Sequence, residues 1–394
     1  MDLMNRVSKT VTILLLCLLL TGCWDRREIN DIAFVVGTAL DKEEDKYRVT
    51  LQITIPGMLA GSNGGGGGGD KNPWFLKSSV GETVRGVTLK EQTSTSRKLY
   101  FSHRRALLIG EAMAREGIAE ALDSIGRLPE NRLSALPVVT EGHAYEVLNG
   151  EPTIEQYPGE VVRELVFLYL SKPWTLKTVV NLMLEDGIDP IMPLVETVDS
   201  VPEKIDKPNK NIGVGGLAVF RGDKLTGIIK KQDTHGILVA MDQARTLELP
   251  ITVPRGEGKI FFLIRSNHTK IKPIVNGEDV RFHMYTGGRM SITTNESNFD
   301  TNNENNIIEL EQKMNEYMKA KITQDLKLLQ KYNSDALGFG RIIKTEKPQL
   351  WSQLRDRWYE IYPNITFEVE ADYRLENNGA ATSPFAVEEE DIAE

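Results

Sequence analysis

Cysteine is almost absent from this chain: 394 residues carry two, Cys17 and Cys23. That excludes a disulfide-stapled scaffold, a Cys-rich zinc module and a C-x-x-C redox centre. Histidine is sparse as well. His103, His143, His235, His268 and His283 stand singly, and no two have the i, i+4 spacing of a helical zinc site. A basic block is missing: Lys and Arg total 47 against 56 Asp and Glu, for a net charge of −9. Nucleic-acid binding depends on phosphate neutralisation, so it is a poor fit, as is adhesion to anionic lipid through a polybasic surface. No apolar run reaches the roughly 20 residues a membrane-crossing helix needs.

What is present begins at the N-terminus. Arg6 and Lys9 form a positive region, Val11 to Leu20 a ten-residue apolar region, and Leu20-Thr21-Gly22-Cys23 follows directly. This is the length and order of a secretory signal over 1–22. Small residues directly before a cysteine resemble a bacterial lipobox, in which Cys23 receives a diacylglyceryl group and becomes the mature N-terminus. Losing Asp2, Arg6 and Lys9 with the signal leaves a mature net charge of −10. Two acyl chains give the stable anchoring that one does not. With Cys17 removed and Cys23 acylated, the exported protein folds without disulfides.

Periodicity gives an α+β reading with several mixed α/β units. Residues 23–198 form an N-terminal domain. It opens with a hairpin of Ile32–Leu40 and the alternating Tyr47, Val49, Leu51, Ile53, Ile55, joined by a charged turn. Within it, 57–73 contains six consecutive glycines, Gly64 to Gly69, and is expected to be a flexible loop. Ser79-Val80-Gly81-Glu82 fits a capping box opening a helix through about Gln92. Ala106–Ile109 and Leu136–Thr140 read as buried strands. Helices are expected over Glu111–Arg127, broken near Gly117, and around Val161–Leu170 and Leu176–Glu185. A Pro- and Lys-rich linker at 199–211 leads to a small strand-rich middle domain, 212–268, in which Ile212–Phe220, Leu225–Ile229, Ile237–Ala240 and Ile260–Ile264 are the strands. The C-terminal domain, 269–377, starts at the strand Lys270–Val275. It holds a long amphipathic helix with Ile307, Leu310, Met314, Tyr317, Met318, Ile322, Leu326 and Leu329 on one face. A second helix starts at Pro348 with Trp351, Leu354, Trp358 and Ile361 inward, and an alternating strand Ile365–Leu375 closes the unit. Residues 378–394 read as an acidic disordered tail.

Chemistry-bearing patterns are few. The glycine run is followed by Asp70-Lys71-Asn72, not Lys-Ser/Thr, so it is no phosphate loop. Gly213-Val214-Gly215-Gly216-Leu217-Ala218 loosely matches a dinucleotide fingerprint, but Val219-Phe220 continues as strand where a helix N-terminus is required. His103, among Arg97, Lys98, Arg104 and Arg105, fits a structural hydrogen-bonding corner better than a small anion site. The Trp351/Trp358 spacing is that of a helix core more than a carbohydrate platform. No carboxylate pair is singled out for acid–base work. Catalytic, cofactor and metal residues are therefore expected to be absent.

Taken together the segments resemble the spore-germination lipoprotein family of the Ger(x)C type, the C subunit of nutrient-germinant receptors. The resemblance runs from Cys23-Trp24-Asp25-Arg26-Arg27-Glu28-Ile29 through Arg97–His103, Ala106–Gly110, Gly117-Ile118 and Gly216–Phe220 with Lys224-Leu225. It ends with Asp335–Gly340, Pro348, Trp351 and Trp358. It implies a non-enzymatic, acylated (palmitate-type) lipoprotein of a spore-forming Firmicute. Such a protein is tethered at Cys23 to the outer leaflet of the spore inner membrane and works with polytopic A and B subunits. Cys23 as lipid acceptor is the one residue role carried over; whether the subunit itself binds germinant is left open. A transporter's solute-binding lipoprotein and a surface hydrolase are the rival readings.

Overall fold

The structure, a computed structural model, describes residues 4–8, 10, 29–54, 73–128, 130–152, 154–199, 210–244, 247–276 and 279–377. Cys23, the glycine run and the acidic tail lie outside the described residues.

Strands β1 (Ile32–Glu43) and β2 (Lys46–Thr54) form the antiparallel hairpin that the alternation predicts, and β3 (Trp74–Gly81) pairs with β2. The alternation predicts one buried face, yet Val49 to Thr54 are all buried, including the polar Thr50, Gln52 and Thr54. Both faces of the strand are covered, and Thr50 and Gln52 hydrogen-bond to Ser78 and to the Gly159 amide. Short β4 (Lys98–Tyr100) pairs with the start of β1; β5 (Ala106–Gly110) and β6 (Leu136–Thr140) run parallel to it. Every residue of β5 and β6 is buried, as expected of parallel strands covered on both faces. Beyond them β7 (Ile191–Asp199) is parallel to β6, and β8 (Lys210–Arg221) and β9 (Lys224–Lys230) return antiparallel, giving the order β3-β2-β1-β5-β6-β7-β8-β9 with β4 beside β1.

Helices α1 (Val84–Thr93), α2 (Glu111–Glu116), α3 (Ala119–Gly126), α4 (Ala144–Leu148), α5 (Pro158–Tyr169) and α6 (Leu176–Leu184) pack on this sheet. The break at Gly117 has the expected cause, a φ of 139°. The expected capping box does not form. Ser79 is held in β3 opposite Val49, so the helix starts later, with the Thr83 hydroxyl accepting from the Gly86 amide at 3.0 Å.

After α7 (His235–Ala240) comes a second sheet of β10 (Glu248–Thr252), β11 (Gly258–Asn276), β12 (Asp279–Ser297) and β13 (Thr366–Asn377), in that order. Between β12 and β13 lie α8 (Glu304–Lys331), α9 (Phe339–Glu346), α10 (Pro348–Leu354) and α11 (Trp358–Ile361). Helix α8 buries Leu310, Met314, Met318, Ile322, Leu326 and Leu329 of the predicted stripe, while Ile307 and Tyr317 are half-buried. At about 2 kcal/mol each, the burial of the first six is worth roughly 12 kcal/mol gross, far more than the few tenths of an i, i+4 ion pair on the same helix. Tertiary packing therefore holds α8.

Three expectations about organisation are corrected. The 199–211 linker joins two strands of one sheet, since β7 and β8 pair from Ile191↔Val219 to Asp199↔Lys210. The middle domain is consequently divided: β8 and β9 belong to the first sheet, β10 and β11 to the second. Its boundary at 268/269 cuts through β11, one continuous strand. Ile237–Ala240 is helical, because Gly236 lets this short apolar run lie directly on α8. A single apolar cluster, from Ala33 to Tyr373, runs through both sheets.

Candidate functional site

The two sheets are joined by a polar knot built on Asp335-Ala336-Leu337-Gly338-Phe339-Gly340. Gly338 adopts a left-handed φ of 76°, which turns the chain from α8 into α9. Asp335 then reaches forward to accept from the Phe339 and Gly340 amides, both at 2.8 Å, and from the Trp358 indole Nε1 at 2.9 Å. Asp189, between α6 and β7, meets it from the other side. Its carboxylate accepts from the Asp335 amide and the Gly222 amide, both at 2.8 Å, and from the Tyr359 hydroxyl at 2.7 Å. The Asp189 amide returns a bond to the Asp335 carbonyl at 3.0 Å.

Glycines permit this approach. A Cβ on Gly340 would sit 2.8 Å from Gly187 Cα and from the Trp351 ring, and the Arg341 amide donates to the Gly187 carbonyl at 2.7 Å. Phe339 packs between Phe282 and Phe367, tilted against the first and stacked on the second, with ring centroids 4.6 and 5.0 Å away. Burial pushes the Asp335 carboxyl up to about 7; its two backbone donors and the Trp358 indole pull the other way, while Asp189 adds to the rise. Asp189 is raised as well, chiefly by burial. Both side chains are fully buried and each is occupied by three donors. This carboxylate pair is therefore suited to holding the two sheets in register, with no face left for acid–base work on a ligand.

A second contact repeats the theme. Asp325 on α8, raised by burial, accepts from the Gly236 amide at 2.7 Å and pairs with Lys321 at 2.9 Å. On the first sheet Asp41 of β1 similarly accepts from the Ala144 and Tyr145 amides that open α4, at 2.6 and 3.1 Å.

Of the residues singled out by sequence, Cys23 lies outside the described residues. Gly213 to Ala218 lie within β8, and a Cβ on Gly216 would fall 2.0 Å from the Ile229 carbonyl oxygen, so strand packing accounts for that glycine. The histidines remain apart, and among the described residues no group of three or more His, Cys, Asp or Glu could hold a metal. Trp351 and Trp358 meet edge to face at 5.5 Å in the core. His103 packs on Phe34 and Tyr100, at 5.1 and 5.8 Å. Sequence reading missed Asp189, whose partner is 146 residues away. For Asp335 a signal existed, an Asp poised to cap a helix that opens Gly-Phe-Gly.

Family models divide this chain between β7 and β8, near the expected 199–211 boundary and within the first sheet. Residues 25–197 match the spore germination protein N-terminal domain, and 215–379 match the spore germination B3/GerAC-like C-terminal domain. The chain is 34% identical to spore germination protein YfkR of Bacillus subtilis over 374 residues, covering 95% of this chain and 97% of that one. It is 23% identical to spore germination protein KC of the same organism, covering 95% and 96%. The crystal structure of the GerBC protein shares its fold, with a TM-score of 0.57 at 20% identity over 89% of this chain and all of that one. The chain belongs to the Ger(x)C family of spore germination proteins.

Proposed function

We propose that this protein is the lipid-anchored, non-catalytic C subunit of a spore nutrient-germinant receptor. It is held on the outer leaflet of the spore inner membrane through a diacylglyceryl group on Cys23 and assembled there with polytopic A and B subunits. The observation that carries this reading is the order of the parts: a lipobox-like Leu20-Thr21-Gly22-Cys23, then both family domains in succession. Among the described residues no helix is long and apolar enough to cross a membrane, which is compatible with attachment through acyl chains. Tethering would raise the local concentration of the folded part at its partners to about the millimolar range. In spores carrying Cys23→Ala, the protein is expected to leave the inner-membrane fraction, and nutrient-triggered germination to fall to the level of a deletion strain. Full membrane retention with normal germination would overturn the proposal.

A further inference from the structure

One concavity, of about 420 Å³, is lined by Ser102, His103, Arg105, Arg132, Ser134, Arg163, Phe167 and Thr175, among others. Its arginines come from three separate elements: the loop before β5, the loop before β6, and α5. They are unevenly neutralised. Glu160 is shared by Arg105 at 3.3 Å and Arg163 at 2.9 Å, and Glu164 also contacts Arg163. Arg132 is exposed and has no hydrogen bond or ion pair among the described residues. The excess charge is felt at His103, whose imidazole is pushed down first by burial and then by Arg132 and Arg105. Thr175 caps the N-terminus of α6, whose dipole adds positive potential; the Leu176 and Lys177 amides already bond to Ala135 and Leu133, so any anion falls to the side chains. Phe167, 46% exposed, walls the bowl beneath the Arg163 guanidinium, 4.8 Å from its ring centre, and Leu168 beside it is 65% exposed.

The place of this bowl in the fold is informative. It lies at the N-terminal ends of the parallel strands β5 and β6, and β1 starts on that same edge. The Arg105 amide donates to the Val36 carbonyl at 2.7 Å, and Phe34, third residue of β1, packs on His103. Cys23 is nine residues upstream of Ile32, within about 30 Å of extended chain.

We propose that the bowl binds a phosphate group, carried either by an anionic phospholipid headgroup or by a free phosphorylated solute, on the end of the molecule that faces the membrane. The membrane-facing orientation rests on the proposed anchor at Cys23; phosphate binding does not. Arginine forks recognise phosphate oxygens through paired, charge-assisted hydrogen bonds, and an exposed aromatic beside them suits the headgroup boundary. An acidic chain gains nothing from diffuse attraction to anionic lipid. A localised arginine site is the form in which such a protein can recognise phosphate.

Glycerol 3-phosphate, the soluble headgroup fragment, tests the site by calorimetry on the full chain in non-ionic detergent. Saturable binding is expected, at least tenfold weaker in Arg132→Ala and in Arg105→Ala, with unchanged thermal unfolding for the exposed Arg132→Ala. Bound phosphate is also expected to raise the His103 pKa by NMR, which a purely structural arginine cluster would not do. A second arm uses the Cys23→Ala chain with vesicles. Stronger sedimentation with phosphatidylglycerol than with phosphatidylcholine, lost in Arg132→Ala, identifies the headgroup as source; glycerol phosphate binding without that preference identifies a free solute. No saturable glycerol phosphate binding, or binding indifferent to both arginine substitutions, overturns the proposal. Equal sedimentation of wild type and Cys23→Ala with neutral vesicles counts against the anchor alone.

Discussion

Removing the Asp335 carboxylate would strand three buried donors at once: the Phe339 and Gly340 amides and the Trp358 indole. Leaving a buried donor unsatisfied costs about 1–3 kcal/mol, and the losses within one network overlap. Asp335→Ala is therefore expected to lower the unfolding free energy by about 3 kcal/mol, read from the denaturant midpoint, whereas Asp356→Ala on the exposed segment after α10 is expected to change it by less than about 0.5 kcal/mol. An equal effect of the two would remove the knot from its assigned role. At this scale the sequence is legible where a side chain acts locally. Gly338 and the helix behind it can be read from Asp-x-x-Gly-Phe-Gly, but Asp189 cannot, because no local pattern announces a partner so distant in the chain. The arginines of the phosphate bowl are hidden for the same reason; only the loop around His103 is contiguous.

Helix α8 illustrates what periodicity does and does not reveal about an element. Its apolar stripe follows from the 3.6-residue repeat, and the structure buries it as expected. Its second task is polar. Asn315 donates to the Tyr373 carbonyl at 3.1 Å and accepts from the Tyr373 amide at 2.7 Å, and Glu311 accepts from the Leu375 amide at 2.7 Å. These side chains occupy the outer edge of β13, the last strand of its sheet, and an uncovered edge invites pairing with another chain. Asn315→Leu is expected to cost about 1 kcal/mol and, more diagnostically, to raise the oligomeric fraction in sedimentation velocity. A variant that stays monomeric at high concentration would show that the edge is guarded by other means. Helix α7 carries the complementary lesson. A five-residue apolar run cannot be assigned to strand or helix by pattern alone. Its state is set by the close approach of Gly236 to α8, where a Cβ would stand 2.6 Å from Ile322 Cα.

For the molecule as a whole, the α+β class was legible from the alternation of elements, and the sheet partition was not. Proline and lysine after Val198 signal a loop, and a loop closes a hairpin as readily as it separates two domains; the pairing of β7 with β8 shows that here it joins two strands of one sheet. Both halves then share one apolar core, pinned by buried aspartates at Asp189, Asp325 and Asp335, all raised chiefly by burial. A carboxyl raised in this way binds its proton more tightly in the folded than in the unfolded chain. The stability it contributes is fully present below the ordinary value of 3.8 and is lost as pH climbs through the folded value, about 7 for Asp335. Burial of His103 and His235 acts in the opposite sense: their lowered values contribute stability above the ordinary 6.5 that is lost as pH falls through the folded values. The aspartate contribution can be isolated with Asp335→Asn, which cannot titrate. Between pH 5 and pH 8 the wild-type urea midpoint is expected to fall by more than that of Asp335→Asn, with the two curves converging at the alkaline end. A difference that stays constant across this window would mean that the junction carboxyl is already ionised at pH 5. In that case its three donors outweigh its burial.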